Sequence, residues 1–228
     1  MILPRPVKAV VFDMDGLLFD TERLYGKAIL LAAQELGCAM SMEVFQRFIG
    51  TPWLTNRRVM IEQYGDSYPA DALRDAWMQH FRLLLPSGLE LKPGVVEILD
   101  LLDELGLPRA IATSSSHEIV RHHLDLHQLA GRFHAVIAAG DYVNSKPAAD
   151  PFLRAAERLD VEPGQCLALE DSHNGVRSAS AAGMMTVMVP DLLLPTEEIS
   201  GLCSVAQSLH DVSAVLRSIS LETMRKGT

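Results

Sequence analysis

The chain has 228 residues, of which 48% are apolar and 21% charged, the balance of a globular protein with one large domain or one domain carrying an insert. Its net charge of −9 argues against general nucleic-acid or anionic-membrane binding, which needs a basic face. No stretch approaches the ~20 apolar residues of a membrane span. We therefore expect a cytoplasmic, monomeric protein with no nucleic-acid and no membrane partner, and three scattered cysteines fit a reducing compartment.

Five short apolar runs predict β-strands, at 8–12, 109–113, 135–139, 165–170 and 186–190. These runs are continuously apolar, which is typical of a parallel sheet covered on both faces by helices. Helical patterns separate most of them, as over 95–105 and after Asp150-Pro151, where Asp150 could cap a helix and Pro151 take its first position. The alternation predicts an α/β fold with a doubly wound, mainly parallel sheet.

Residues 21–86 interrupt the alternation, because they show helical periodicity and no convincing strand. Helical patterns run over 24–35, 59–64 and 72–85, with turn signals at Gly37, Gly50-Thr51-Pro52, Gly65 and Pro69. We predict a small helical bundle inserted after the first strand, with the core domain formed by 1–20 and 87–228.

Polar residues gather where four predicted strands end. They are Asp13 and Asp15, then Thr113-Ser114-Ser115-Ser116, then Lys146, and last Glu170 and Asp171. Ligands of open α/β sheets bind at the carboxyl ends of the strands. The joint occurrence of these residues in this order therefore indicates a site.

Each piece alone has a structural explanation. The Asp-x-Asp-Gly sequence suits a turn, and Ser115 with Glu118 fits a helix capping box. Glu170 and Asp171 could cap the helix near Asn174. These explanations do not account for the coincidence of all the pieces at strand ends.

The chemistry that suits this set is phosphoryl transfer. A carboxylate can attack phosphorus, and a second carboxylate can protonate the leaving alcohol and then deprotonate water. Converging carboxylates need a hard divalent cation such as Mg²⁺. Hydroxyls at a helix N-terminus can bind phosphate, and a lysine supplies further positive charge.

Four segments resemble, in order, the haloacid dehalogenase (HAD) superfamily, in its β-phosphoglucomutase-like phosphatase branch. They are "DMDGLLFDTE", "IATSSS", "KPAADPFLRAAERL" and "LEDSHNGVRSASAAGMMTVMVPD". The first is also similar to pseudouridine-5′-phosphatase-like and sugar-phosphatase-like members. The resemblance implies a Rossmann-like core and makes residues 21–86 an all-helical cap domain.

The resemblance also implies roles for individual residues. Asp13 is expected to be the nucleophile and Asp15 the general acid and base. Lys146 is expected to balance charge and to act in catalysis. The substrate phosphate is expected to bind to Thr113, Ser114, Lys146 and Gly16. The Mg²⁺ ligands are expected among Asp13, Asp15 (through its backbone carbonyl), Glu170 and Asp171.

Differences between this sequence and those of related enzymes narrow the choice of activity. Dehalogenases of this fold lack the second aspartate, whereas Asp15 is present. The β-phosphoglucomutases carry a cap histidine where Tyr25 stands and an arginine, just after a glycine matching Gly50, where Trp53 stands. We predict a phosphatase for a small phosphorylated metabolite, of sugar phosphate or nucleoside monophosphate type. A phosphosugar mutase and a non-catalytic binding module stay open as alternatives.

Substrate specificity is expected to reside in the cap, with Tyr25, Trp53 and Arg57 as the main candidates and Thr51, Asn56 and Arg58 nearby. Packing inside the cap is the alternative for the two aromatic residues, and a solvated helix face for the arginines. Three histidines, His122, His123 and His127, lack a known metal-binding pattern, so we expect exposed or half-buried helix residues.

Overall fold

The computed structural model describes residues 3–49 and 53–226, and the predicted turn at Gly50, Thr51 and Pro52 lies outside them. It contains a six-stranded sheet, parallel throughout, with the order β3-β2-β1-β4-β5-β6. The strands are β1 (Ala9–Phe12), β2 (Arg109–Ala112), β3 (Ala135–Ile137), β4 (Cys166–Glu170), β5 (Met185–Met188) and β6 (Ser204–Val205). The predicted doubly wound parallel sheet is confirmed.

Ten α-helices lie within the described residues, with two short 3-10 helices at Ala130–Arg132 and Pro163–Gln165. The α-helices are α1 (Thr21–Leu36), α2 (Met42–Gln46), α3 (Trp53–Tyr64), α4 (Ala70–Gly88), α5 (Val95–Glu104), α6 (His117–Leu126), α7 (Asp150–Leu159), α8 (His173–Ala181), α9 (Glu197–Ser200) and α10 (Leu209–Lys226). Among the residues described, none of these helices is both long and apolar enough to cross a bilayer.

The strand order places β1 between β2 and β4, where the direction of winding reverses. Such a reversal opens a crevice at the carboxyl ends of the strands, and ligands bind there. All four residues of β1 are buried and apolar, and the first ionisable side chain after them is that of Asp13, at the carboxyl end of the strand. The strand that sequence reasoning missed is β6, because two residues, neither of them buried, leave no apolar run to recognise.

Residue contacts divide the chain into two compact units. The sheet unit is Met1–Phe19 with Leu91–Thr228, and the helical unit is Asp20–Glu90. The sheet unit contains all six strands with α5 to α10, and the helical unit contains α1 to α4.

Within the helical unit, aromatic packing joins α1 to α4. The ring of Tyr25 stacks on Phe81 with centroids 3.9 Å apart, and Trp77 Nε1 donates to the Tyr25 carbonyl at 2.9 Å. Helix α3 begins at Trp53, earlier than the apolar periodicity predicted, because its first residues are mostly polar. The short helix α2 was not predicted.

Three helix starts differ from the structural explanations that the sequence allowed. Asp150 lies within the first turn of α7, and its carboxylate accepts hydrogen bonds from the preceding loop instead of capping the helix. The N-cap of α6 is Ser116 and not Ser115. Helix α8 is capped by Ser172 and not by the acidic pair before it. Ser115 and the acidic pair therefore have other partners.

Candidate active site

Residues from three strand ends meet in the sheet unit. Asp13 extends the pairing of β1, since its N–H donates to the Leu169 carbonyl at 2.9 Å, and its side chain is buried. Lys146 reaches in from the loop between β3 and α7, and its side chain is 7% exposed. Its Nζ donates to Asp13 Oδ1 and to Glu170 Oε1, each at 2.5 Å. The sequence motifs thus supply one buried ionic cluster.

The charges of this cluster are strongly interdependent. Burial raises the pKa of Asp13 to about 8, against the opposing effect of Lys146 and with further upward contributions from Glu170 and Asp15. Burial alone would lower the pKa of Lys146, but Asp13 and Glu170 raise it above its ordinary value. The lysine is therefore a permanent cation shared by Asp13 and Glu170, and in the absence of a metal ion Asp13 holds its proton up to a pH of about 8.

Glu170 is completely buried, and both of its carboxylate oxygens are engaged. Oε1 accepts a hydrogen bond from Lys146 Nζ. Oε2 accepts three more, from Asp171 N at 3.1 Å, Ser172 N at 3.2 Å and Ser172 Oγ at 3.0 Å. A Cβ on Gly175, in the first turn of α8, would overlap this carboxylate. Glycine is therefore required at 175, a role that sequence reasoning missed although "HNG" at a helix start was a visible signal.

Asp13, Glu170 and Asp171 form a cluster able to hold a metal ion. All three are buried, and one carboxylate oxygen from each lies within 4.8 Å of the others. Carboxylate oxygens are the ligands of hard divalent cations. The side chain of Asp15 is not part of this cluster, and the predicted contact of its backbone carbonyl with the metal stays a prediction.

Gly16 lies directly against Asp171. Its backbone has φ +87°, and a Cβ there would overlap the Asp171 carboxylate, so both conformation and space require glycine. The Gly16 N–H donates to the Phe19 carbonyl at 2.9 Å. The predicted contact of Gly16 with phosphate stays a prediction.

The loop between β2 and α6 carries the expected phosphate-binding residues. Thr113 is buried and Ser114 is exposed. Thr113 Oγ1 accepts from Ser115 N at 3.1 Å, and Ser115 Oγ donates to Asp15 Oδ2 at 2.7 Å. Tyr142 OH donates to the Thr113 carbonyl at 3.1 Å. Sequence reasoning counted Ser115 among the polar residues at the strand ends but gave it no role of its own, and it missed Tyr142, because only the folded loops bring the two side chains to these partners.

The helical unit contains a cavity of about 190 Å³. It is lined by Glu22, Tyr25, Phe45, Phe48, Ile49, Asn56 and Trp77. Of the three main specificity candidates, Tyr25 lines this cavity and the other two do not. Trp53 lies under the Arg74 guanidinium, whose Cζ is 4.9 Å from the ring centroid, and Arg57 Nε donates to Asp71 at 3.1 Å.

The expectation of exposed or half-buried histidines is wrong for His123, which is 1% exposed. It shares the buried face of α6 with Val120 and Leu124, and its ring lies 5.4 Å from that of Phe19. Within the described residues, neither ring nitrogen has a hydrogen-bond partner. Burial is the main cause of its lowered pKa, and no histidine joins the metal-type cluster found among these residues.

Comparisons with known proteins identify relatives of this chain. The sequence pattern of the haloacid dehalogenase-like hydrolase family matches residues 10–189. A protein named probable pseudouridine-5′-phosphatase from Drosophila melanogaster is 37% identical over 221 residues, covering 91% of this chain and 92% of that relative. Hexitol phosphatase B from Escherichia coli (strain K12) is 32% identical over 205 residues, covering 83% of this chain and 86% of that relative.

A solved structure shares the fold as well. The crystal structure of CbbY from Rhodobacter sphaeroides in complex with phosphate superposes with a TM-score of 0.71 at 26% identity, covering 89% of this chain and 95% of that one. The chain belongs to the haloacid dehalogenase-like hydrolase family, as its motifs indicated. Within that family it is a phosphoric monoester hydrolase, like the phosphatases named above.

Proposed function

We propose that this enzyme hydrolyses a small phosphomonoester, of sugar phosphate or nucleoside monophosphate type, through an aspartyl-phosphate intermediate with Mg²⁺ as its cofactor. The observation that carries the proposal is the buried group of Asp13, Glu170 and Asp171, with Lys146 between two of its carboxylates. The names of the relatives support the substrate class, because they include a nucleotide phosphatase and a sugar-alcohol phosphatase.

The proposed reaction has two displacements at phosphorus. An oxygen of the Asp13 carboxylate forms a bond to phosphorus as the ester P–O bond breaks, and Asp15 in its acid form gives its proton to the departing alkoxide. Water then attacks the aspartyl-phosphate and loses a proton to the Asp15 carboxylate. Inorganic phosphate leaves, and both aspartates return to their starting states.

The remaining side chains bind and neutralise the phosphoryl group. Lys146 is the cation at the nucleophile, where its contact with Asp13 Oδ1 at 2.5 Å keeps the attacking group and the phosphate together. Thr113 and the Ser114 amide, next to the N-terminus of α6, are suited to hold the phosphate oxygens.

The donor set fits Mg²⁺, because the three buried carboxyl groups bring hard oxygen ligands within 4.8 Å of one another. Asp13 and Asp171 are the best-suited ligands, with the Asp15 carbonyl, since Glu170 already accepts hydrogen bonds on both oxygens. When bound, the ion supplies Lewis-acid polarisation of the phosphoryl group.

Phosphate release from a panel of phosphomonoesters, with Mg²⁺ and with chelator, tests the proposal. The panel should include hexose and hexitol phosphates, nucleotides, pseudouridine 5′-phosphate, phosphoglycolate and β-glucose 1-phosphate. We expect Mg²⁺-dependent release from at least one sugar or nucleoside ester. Release that persists in chelator would contradict the cofactor, and isomerisation of β-glucose 1-phosphate without release would contradict hydrolysis.

A further inference from the structure

The two aspartates of the first motif are held in different ways. Asp13 is held by an ion pair with Lys146, whereas Asp15, which is only half-buried, receives a hydrogen bond from Ser115 Oγ at 2.7 Å. Across residues 3–49 and 53–226, no other side chain donates a hydrogen bond to Asp15. The orientation of the Asp15 carboxyl group therefore depends on one hydroxyl.

Ser115 is itself well fixed. Its N–H donates to Thr113 Oγ1 at 3.1 Å, and its carbonyl accepts from Ala139 N at 2.9 Å, so contacts from two strand ends hold its backbone. Its hydroxyl is available for Asp15 because the neighbouring Ser116 caps α6. A hydroxyl on so constrained a backbone can impose an orientation on its acceptor.

This contact occupies one oxygen of the Asp15 carboxyl group. Because Oδ2 accepts from Ser115, Oδ1 is the oxygen left free to carry the transferable proton. Oδ1 then donates its proton to the leaving alkoxide as the ester bond breaks, and takes one from water in the second displacement. The Ser115 hydrogen bond is compatible with both states, since Oδ2 is an acceptor throughout.

We propose that Ser115 is a positioning residue for the proton transfer by Asp15. The inference rests on the proposed function, since it assigns Ser115 to the same reaction. A positioning role can be distinguished from a purely structural role of Ser115, because a loosened loop would slow the hydrolysis of every ester alike. Loss of orientation at Asp15 should instead slow the esters whose leaving alcohol needs a proton.

The test compares kcat/KM for two esters with saturating Mg²⁺ present throughout. One is p-nitrophenyl phosphate, whose weakly basic leaving group needs little protonation, and the other is the sugar or nucleoside phosphate that the wild type hydrolyses best. We expect Ser115→Ala to lower kcat/KM by about tenfold for this alkyl ester and by less than about threefold for p-nitrophenyl phosphate, because positioning contributes a part of the full general-acid effect. Ser115→Thr keeps the hydroxyl and should stay within about threefold of wild type for both esters.

Ser116→Ala is the matched control, because it makes the same chemical change one residue further along, at a cap that does not contact Asp15. Its ratio of the two kcat/KM values should equal that of the wild type. An equal loss on both esters for Ser115→Ala, or no loss on either, would overturn the inference. The wild type is assayed first, so a failure of the proposed function appears there, as no phosphate release, before any variant is compared.

Discussion

The strand-end site of the sheet unit and the cavity of the helical unit are built on opposite principles. The strand-end site consists of buried ionisable groups held together by hydrogen-bonded ion pairs, such as those of Lys146 with Asp13 and Glu170. The cavity is walled mainly by aromatic rings, among them Tyr25 and Trp77, whose geometry comes from stacking and edge contacts. Charge balance tolerates little change, whereas aromatic packing can be altered while the unit remains folded.

This difference suggests a division of labour, in which the strand-end site performs the chemistry common to the family and the cavity selects the leaving group. Substitutions in the strand-end site should then affect every substrate, and substitutions in the cavity should change the order of preference. The following variants test that contrast.

Asp13→Asn should produce the largest effect. It removes the proposed nucleophile while preserving shape, so we expect turnover to fall by at least about 10³-fold for every ester in the panel. Single-turnover phosphate release measures this loss. Retained activity would show that the nucleophile is another group.

The stability of Asp13→Asn provides the control for folding. Burial raises the pKa of Asp13 from 3.8 to about 8, so over this range the folded protein in chelator holds a proton that the unfolded chain has released. The contribution of Asp13 to the stability of the wild type should therefore decrease as the pH rises from about 4 to about 8. Urea unfolding should show a smaller decrease for the variant, which does not titrate at this position.

Lys146→Met should affect stability as well as activity. The change leaves two buried carboxylates without their cation, so we expect the free energy of unfolding to fall by about 3–5 kcal/mol in chelator. Arg177→Met removes a more exposed ion pair with Glu198 and should cost less than about 1 kcal/mol. Equal losses for the two variants in urea unfolding would refute a special role for the buried cluster.

Gly175→Ala tests whether the approach of α8 to Glu170 matters. The added methyl group would overlap the Glu170 carboxylate, so we expect a loss of about 1–3 kcal/mol, together with lower turnover of all esters. Gly131→Ala is the matched control, because a Cβ there meets no atom within 4 Å. If both variants unfolded at the wild-type melting temperature, the close approach of Gly175 to Glu170 would not require glycine at 175.

Tyr25→Leu should have the smallest effect and the most selective one. It removes the stack on Phe81 from the cavity wall, and we expect kcat/KM to change by about fivefold, or ~1 kcal/mol, with a different order of preference among the esters. Trp53→Ala, outside the cavity lining, should keep the wild-type order. If Tyr25→Leu changed kcat/KM by the same factor for every ester, the cavity would not determine specificity.

Much of the strand-end site could be predicted from the sequence, because parallel strands of a doubly wound sheet all end at the same edge. Once Asp13, Lys146 and Glu170 were placed after predicted strands, their convergence followed from topology. The helix caps were less accessible, since Ser115 and Ser116 are equally plausible caps by residue type and only backbone geometry separates them.

By itself, the sequence determined the fold class, the family and the residues at the strand ends, since these depend on periodicity and on local motifs. Only the tertiary structure decided which of those residues touch. It brought Ser115 to Asp15, Gly175 to Glu170, and Tyr25, but not Trp53, to a cavity. Ser115 and Asp15 lie 100 residues apart in the chain, and even the approach of Gly175 to Glu170, five residues away, depends on packing at the scale of single atoms, which periodicity does not encode.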